Sequence, residues 1–553
     1  MDIDDWKRYL TKVFPGASAQ GAITVETLTG GVVNSTIRAS LPADIVRSAA
    51  PEGFTVENPS SLSHLASNPS HTDTSIASIA DLDTSPTPAA PSARTSFVLK
   101  YAPAHMPGEP DTPLSRFRQT AEARALSYIA EDASLASAVA DTGLLVPRLV
   151  WHDVAAHVLW ISDLGPMRTL TDYLASASTS VSAPEKVDSV PSHATRVGLR
   201  LGDALARLHT AALSPSPELR QHFKDPAPVG PGISGYLRDM TRKILVADGH
   251  SEAEADALAG RIGLDVSLPA EDGVAVWGIS DLWPGSVLIG DEAKQSDSHT
   301  NTTDSSLSSN GKNGSNLPPP RSTASPLSPI PRSPPLALVD WEFATADHPG
   351  SEIGMLLAHL RGHALRAAFP KEDAPISHIT EITESGTVRP AASASGSAST
   401  TATLAELNFS EQLGPGTLNK LQQERQRRVN VNDVSQAFVA AYCAGAPELV
   451  HAPSFLRMAL QAYGREMIVA AEFERDAWSP EGRRQSVVEG AAALGAAGTR
   501  DSDAEAASKR AVIAISDGQR ERGVAQEYQY QDLDQSPLGY ISLLLSARQG
   551  VES

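Results

Sequence analysis

The sequence predicts an α+β protein of two lobes, a strand-rich first part followed by a helical second part. Alternating apolar residues in "AITVETLTGGVVNSTIRAS", "SFVLKYA" and "HVLWISDLG" read as strands. Apolar residues at three and four spacing in "ATRVGLRLGDALARLHTAAL", "VNDVSQAFVAAYCAG" and "SFLRMALQAYGREMIVAAEFERDAW" read as helices. Between them lie tracts of Ser, Thr, Ala, Pro, Asn and Gly that lack the aromatic and branched residues needed to offset ordering entropy.

Taken in order, the first stretch turns at Thr29-Gly30-Gly31 like a hairpin, and a strand carrying Lys100 follows. "LSRFRQTAEARALSYIAE" is an amphipathic helix with Phe117, Leu126 and Ile129 among its apolar positions and Glu122 within it. "LWISDLG" then connects the two lobes. The predicted boundaries are 1–165 and 166–553, with disordered insertions at about 43–94, 175–192, 292–335, 372–401 and 490–508.

The stretch "VAVWGISDLWPGSVLIGDEA" reads as strand, tight loop, strand, and "LALVDWEFATA" as a further strand ending in two carboxylates. Removing the Ser/Pro-rich insertion leaves "SVLIGDE" and "LALVDWE" as neighbours able to pair as a hairpin. A loop lengthened from a few residues to about forty costs only roughly 2 kcal/mol more to close. The hairpin would set Asp281 and Ser286 beside Asp340 and Glu342.

Acids at neighbouring strand ends suit Mg²⁺, which takes one or two carboxylates and completes its shell with water and phosphate oxygens. With Asp340 on the metal, Asp281 is left to orient a hydroxyl and accept its proton, the division of labour of phosphoryl transfer. Backbone N–H groups at Gly30 and Gly31 would approach phosphates, Lys100 would supply positive charge to them, and Glu122 would hold Lys100. Ser162 and Leu164 lie on the connection where an adenine would sit.

These residues carry a resemblance. "LTGGVVNSTIR", "FVLKYA", "SRFRQTAEARAL", "VLWISDLG", "LGDALARLH", "SDLWPGSVLI" and "LVDWEFA" resemble the aminoglycoside phosphotransferase family, which includes choline, methylthioribose and fructosamine kinases. The resemblance implies a protein-kinase-like fold and an ATP- and Mg²⁺-dependent small-molecule kinase. By it, Asp281 matches the catalytic base, Asp340 the metal-binding Asp, and Lys100 with Glu122 the phosphate lysine and its helix partner. Glu342 fits a variant Asp-x-Glu metal motif. The pattern departs at Ile279 and Ser280, where the family usually has His-Gly, and at Ser286, where it usually has the metal-binding Asn. Glu352, in "GSEIG", stands near the place of a further family Asp. These departures leave open an alternative, a nucleotide-binding scaffold with weakened catalysis. A protein kinase is disfavoured because no activation-loop pattern ending in Ala-Pro-Glu follows Asp340.

A formal charge of -20 argues against general binding to nucleic acid or anionic membranes, since phosphate affinity needs a basic surface. It is compatible with a cationic small-molecule acceptor, although acidity that serves solubility alone is the more ordinary reading. Cys443 is the single cysteine, so no intramolecular disulfide forms. The acidic start "MDIDDWKRYL" does not read as a signal peptide, and no apolar run approaches the length of roughly 20 residues needed to span a bilayer. A cytoplasmic protein is expected, of a size that leaves oligomeric state open.

Overall fold

The computed structural model describes residues 1–15, 23–28, 34–55, 94–106, 109–176, 191–224, 232–262, 274–290, 334–371, 381–382, 388–389, 415–498 and 544. Five antiparallel strands form the first sheet, in the order Thr24–Thr27, Ser35–Pro42, Arg94–Tyr101, Val158–Ser162, Leu149–Asp153. Strand pleating sends successive side chains to opposite faces. On one face Ile37, Ala39, Leu41, Phe97, Leu99 and Trp160 form a core with Trp6, Leu10 and Phe14, three residues supplied by helix Ile3–Val13 and its C-terminal end. Lys100 is on the opposite face from Leu99, turned toward the rest of the molecule.

The expectation of disorder from residue 43 is overturned at its start. Helix Ala43–Ala49 buries Val46, and Phe54 packs against Phe14, Phe97 and Trp160 at 5.5–5.7 Å between ring centroids. Residues 490–498 likewise continue helix Pro480–Ala497 and its end instead of leaving it. There the Gly and Ala content reflects close helix contact, since a Cβ on Gly490 would meet the Gly464 carbonyl at 2.7 Å. Residues 334–335 are also ordered, with Pro335 accepting from Gly290 N–H at 2.9 Å. At the edges of the other predicted insertions, Arg94 opens strand Arg94–Tyr101, Ala175 ends helix Leu170–Ala175 and Ser192 caps helix His193–Ala211, and within 372–401 Glu381–Ile382 pairs with Val388–Arg389. The rest of the predicted insertion residues lie outside the described residues. Phe117 begins helix Phe117–Glu131 but is 55% exposed, so the buried face is carried by Leu126, Ile129 and small residues.

The predicted hairpin is present. Val287–Gly290 pairs antiparallel with Leu336–Leu338, Val287 opposite Leu338. Met167–Thr169 adds to one edge, and Leu144–Leu145 adds in parallel to the other, completing a four-stranded sheet. A second pairing was not legible in the sequence: Val276–Gly278 runs antiparallel to Thr345–Asp347. The two pairings together clamp both acidic turns.

Helices His193–Ala211, Pro349–Ala368, Pro415–Gly445 and Phe455–Phe473 supply much of the largest core. The first and third approach so closely that a Cβ on Gly198 or Gly202 would stand 2.3 Å from the carbonyls of Val434 and Phe438. Only glycine fits there. Cys443, on the third of these helices, is buried, as its apolar surroundings predict. No helix among the described residues is long and apolar enough to cross a membrane.

Candidate functional site

Lys100 leaves the first sheet at a position paired with Thr36 and Leu159 and is 3% exposed. Its ammonium sits 2.7 Å from Glu122 Oε2 and 2.6 Å from Asp340 Oδ1. Glu122 comes from helix Phe117–Glu131, fixed to the strand by a bond from Gln119 Nε2 to the Lys100 carbonyl at 2.5 Å. Burial opposes the lysine charge, yet Asp340, Glu122 and Glu342 outweigh it and hold Lys100 above the ordinary lysine range.

Asp340 stands at a turn with φ +64°, a conformation uncommon for residues other than glycine. The chain on either side holds it there. Before it, Val339 N–H donates to the Ser286 carbonyl at 2.9 Å, tying this turn to the turn that follows Asp281. After it, Trp341 is fully buried and stacks on Trp277 with centroids 5.6 Å apart and planes 10° apart.

Asp281 is half-buried, and no hydrogen bond or ion pair engages its carboxylate among the described residues. Burial, then the charges of Glu466, Glu342 and Asp340, push its carboxyl up to about 7, against a smaller pull from Arg465. Burial and the neighbouring Asp340 and Glu342 likewise push Glu122 up to about 7, opposed by Lys100. The cause is a surplus of acid: Lys100 and Arg118 face Glu122, Asp340 and Glu342, with Asp281 beyond.

Ser280, immediately before Asp281, also has a positive φ of 59°. Its N–H donates to Glu352 Oε1 at 2.7 Å, and the other oxygen of Glu352 lies 3.1 Å from His209 Nε2. His209 Nδ1 in turn meets the Tyr442 hydroxyl at 2.8 Å. This buried chain braces the loop that carries Asp281. The approach of Glu352 requires Gly278, where a Cβ would fall 2.1 Å from Glu352 Oε1. Sequence reading placed Glu352 near the site and missed His209; its signal was "LARLH", whose final His breaks an otherwise apolar helix face.

Two predicted metal oxygens are differently engaged. The Ser286 hydroxyl is fully buried, donates to the Trp283 carbonyl at 2.7 Å and accepts from Trp283 N–H at 3.2 Å, closing its own turn. Glu342 is held by Arg118 at 3.2 Å and by Asn34 Nδ2 at 2.8 Å. A short hydroxyl reaches the nearest backbone first, and a buried carboxylate takes the nearest cation. Gly30 and Gly31 lie outside the described residues. Ser162 lies at the end of strand Val158–Ser162, its hydroxyl accepting from Arg148 N–H at 2.9 Å; Leu164 follows, half-buried, in the connection. An open pocket of about 550 Å³ lined by Tyr128, Ser214, Glu218 and His222 lies apart from all these acids.

The donor set fits a hard divalent cation held jointly with phosphate. Among the described residues no three His, Cys, Asp or Glu side chains form a ready-made metal cage. Mg²⁺ does not require one, since one or two carboxylates beside phosphate oxygens suffice. Asp340 Oδ1 is taken by Lys100, while Oδ2 has no hydrogen-bond partner among the described residues and the side chain is 25% exposed.

No protein-family model matches the chain. Over 115 residues it is 32% identical to a 4-hydroxytryptamine kinase from Psilocybe cyanescens, a match covering 21% of this chain and 29% of that protein. The chain thus matches under a third of that relative's length. Its sequence similarity is to a kinase of a small molecule. Among solved structures, a choline/ethanolamine kinase family protein from Mesorhizobium loti aligns with 93% of this chain and 99% of its own, at 11% identity and a TM-score of 0.33. A choline kinase from Cryptosporidium parvum aligns with 98% and 100%, at 8% identity and a TM-score of 0.27.

Proposed function

We propose that this chain is an ATP-dependent phosphotransferase acting on a hydroxyl of a small polar molecule, built as a two-lobed protein-kinase-like fold. The lobes would be 1–165 and 166–553, with Leu144–Leu145 of the first pairing into the sheet of the second. One observation carries the reading: Lys100 bridges Glu122 and Asp340 at 2.7 and 2.6 Å, across three segments far apart in sequence. A structural ion pair needs two partners. A lysine held between a helix acid and a strand-end acid is arranged to receive phosphate oxygens once the second acid turns to a cation.

In this reading Lys100 orients the nucleotide phosphates and Glu122 keeps the lysine in place. Asp340 offers Oδ2 to the metal, with Ser162 and Leu164 beside the base and Gly30 and Gly31 near the phosphates. Mg²⁺, when bound with the nucleotide, would neutralise charge developing on the transferred phosphoryl group. Asp281, with a carboxylate unengaged and poised near neutral pH, would position the acceptor hydroxyl and take its proton. Ser286 and Glu342 support the turns instead of ligating.

The acceptor would carry an amine. Glu466 shares Oε1 with Arg465 Nε at 2.8 Å, while Oε2 lies 3.6 Å from His359, beyond hydrogen-bond distance. Burial holds His359 below its usual range and so largely neutral. Trp283, half-buried two residues after Asp281, adds a ring face for a cation. The relative's substrate, as its name gives it, also bears an amine. A cytoplasmic setting is proposed with it, since the single cysteine, Cys443, needs no oxidising compartment.

Replacing Asp281 by Asn tests the assignment. Turnover should fall by at least a hundredfold while Mg-nucleotide binding is retained. The scaffold alternative draws on Ser286, whose hydroxyl closes its own turn; nucleotide binding without phosphate transfer to any alcohol would favour it.

A further inference from the structure

Arg118 and Glu122 lie four residues apart on helix Phe117–Glu131 and so project from one face. Glu122 reaches Lys100, and Arg118 reaches Glu342, with Nε 3.2 Å from Oε2. Asn34, immediately before strand Ser35–Pro42, closes a triangle. It donates to Glu342 Oε2 at 2.8 Å and accepts from Arg118 Nη2 at 3.2 Å. The remaining Arg118 nitrogen, Nη1, donates to the carbonyls of Ser115 at 2.9 Å and Pro103 at 3.2 Å. Arg118 is 1% exposed and Glu342 3%.

One helix face therefore grips both ends of the sequence Asp340-Trp341-Glu342, through Lys100 at one end and directly at the other. Between them Asp340 keeps its left-handed backbone, a state that persists only where its surroundings over-determine it. We propose that Arg118 is a positioning residue for Asp340: the Arg118–Glu342–Asn34 latch sets the acidic turn against Lys100 and Glu122, and Glu342 acts as its tether, not as a metal ligand. This rests on the phosphotransferase reading.

The test is a double-mutant cycle on the full chain with Arg118→Met, Glu342→Gln and both together. Readouts are kcat, the Mg²⁺ concentration giving half-maximal rate at saturating ATP, and the thermal midpoint. The latch predicts that each single variant lowers kcat about tenfold and raises the Mg²⁺ requirement by a similar factor, and that the double variant is no worse than the poorer single one. If Glu342 raises the Mg²⁺ requirement when replaced while Arg118→Met leaves it unchanged or lowers it, Glu342 is a ligand and the proposal is overturned. Should Arg118→Met fail to fold, Arg118→Lys serves: it keeps the charge but loses the fork to Asn34. An intermediate kcat and Mg²⁺ requirement support the latch, and wild-type values overturn it. A wild-type protein that neither binds Mg-nucleotide nor transfers phosphate removes the underlying reading instead, so the two failures are distinguishable.

Discussion

Asp281→Asn separates the electrostatic account from a purely geometric one. The Asp281 carboxyl is pushed up to about 7 by burial and by Glu466, Glu342 and Asp340, whereas in an unfolded chain it titrates near 4. A carboxyl raised on folding keeps its proton in the native state after the unfolded chain has released it. Its contribution is therefore fully present below about pH 4 and is lost as pH rises through about 7. From pH 5 to pH 8 roughly two units of that window are crossed, worth about 2.7 kcal/mol at 1.36 kcal/mol per unit. Partial solvent contact halves this to about 1.4 kcal/mol. Asparagine does not titrate. The advantage of Asp281→Asn over the wild type should thus grow by about 1.4 kcal/mol between pH 5 and pH 8, read from urea midpoints of both proteins. The same ionisation should give the wild-type kcat/KM an acid limb near pH 7, with activity rising as the carboxylate forms. A stability difference that does not change with pH would refute the argument, because Asp281 would then be an ordinary solvated acid.

Three further outcomes follow from the geometry. Lys100→Met leaves Glu122 and Asp340 without their shared cation and should destabilise the fold by about 3–5 kcal/mol, measured by chemical denaturation, as well as abolishing turnover. Glu352→Ala removes the acceptor of the Ser280 N–H and the acid beside His209; kcat should fall about tenfold or more while the dissociation constant for Mg-ADP changes little. Gly202→Ala drives a methyl group into the Phe438 carbonyl and should cost about 1–3 kcal/mol in the unfolding free energy with the KM for ATP unaffected.

Strands Ser35–Pro42, Arg94–Tyr101 and Val158–Ser162 and helices Phe117–Glu131, His193–Ala211 and Phe455–Phe473 were legible because alternation and the helical period survive in short segments. The hairpin joining Asp281 to Asp340 was legible for a further reason: both of its strands are continuous apolar runs, and the stretch between them is not. The Lys100–Glu122 pair followed from order along the chain. What was not legible depends on distance in three dimensions. Arg118 and His209 look like ordinary helix residues until Glu342 and Glu352 are placed against them. Phe54 was hidden in a Ser/Pro-rich neighbourhood, and residues 490–498 read as disordered because the small residues that allow helices to touch are also those that fill flexible tracts. Ser286 was read as a ligand from its spacing and from the place of the metal-binding Asn in the family the sequence resembles; its hydroxyl turns back to Trp283.

The most direct measurement is transfer of label from γ-labelled ATP to a panel of amino alcohols and hydroxylated aryl amines, with Mg²⁺, by the wild-type protein and Asp281→Asn side by side. The wild type should give a labelled small product from at least one amine-bearing alcohol and the variant essentially none, with both proteins binding Mg-ATP. Equal labelling by the two proteins, or none by a wild type that binds Mg-ATP, would contradict the phosphotransferase reading.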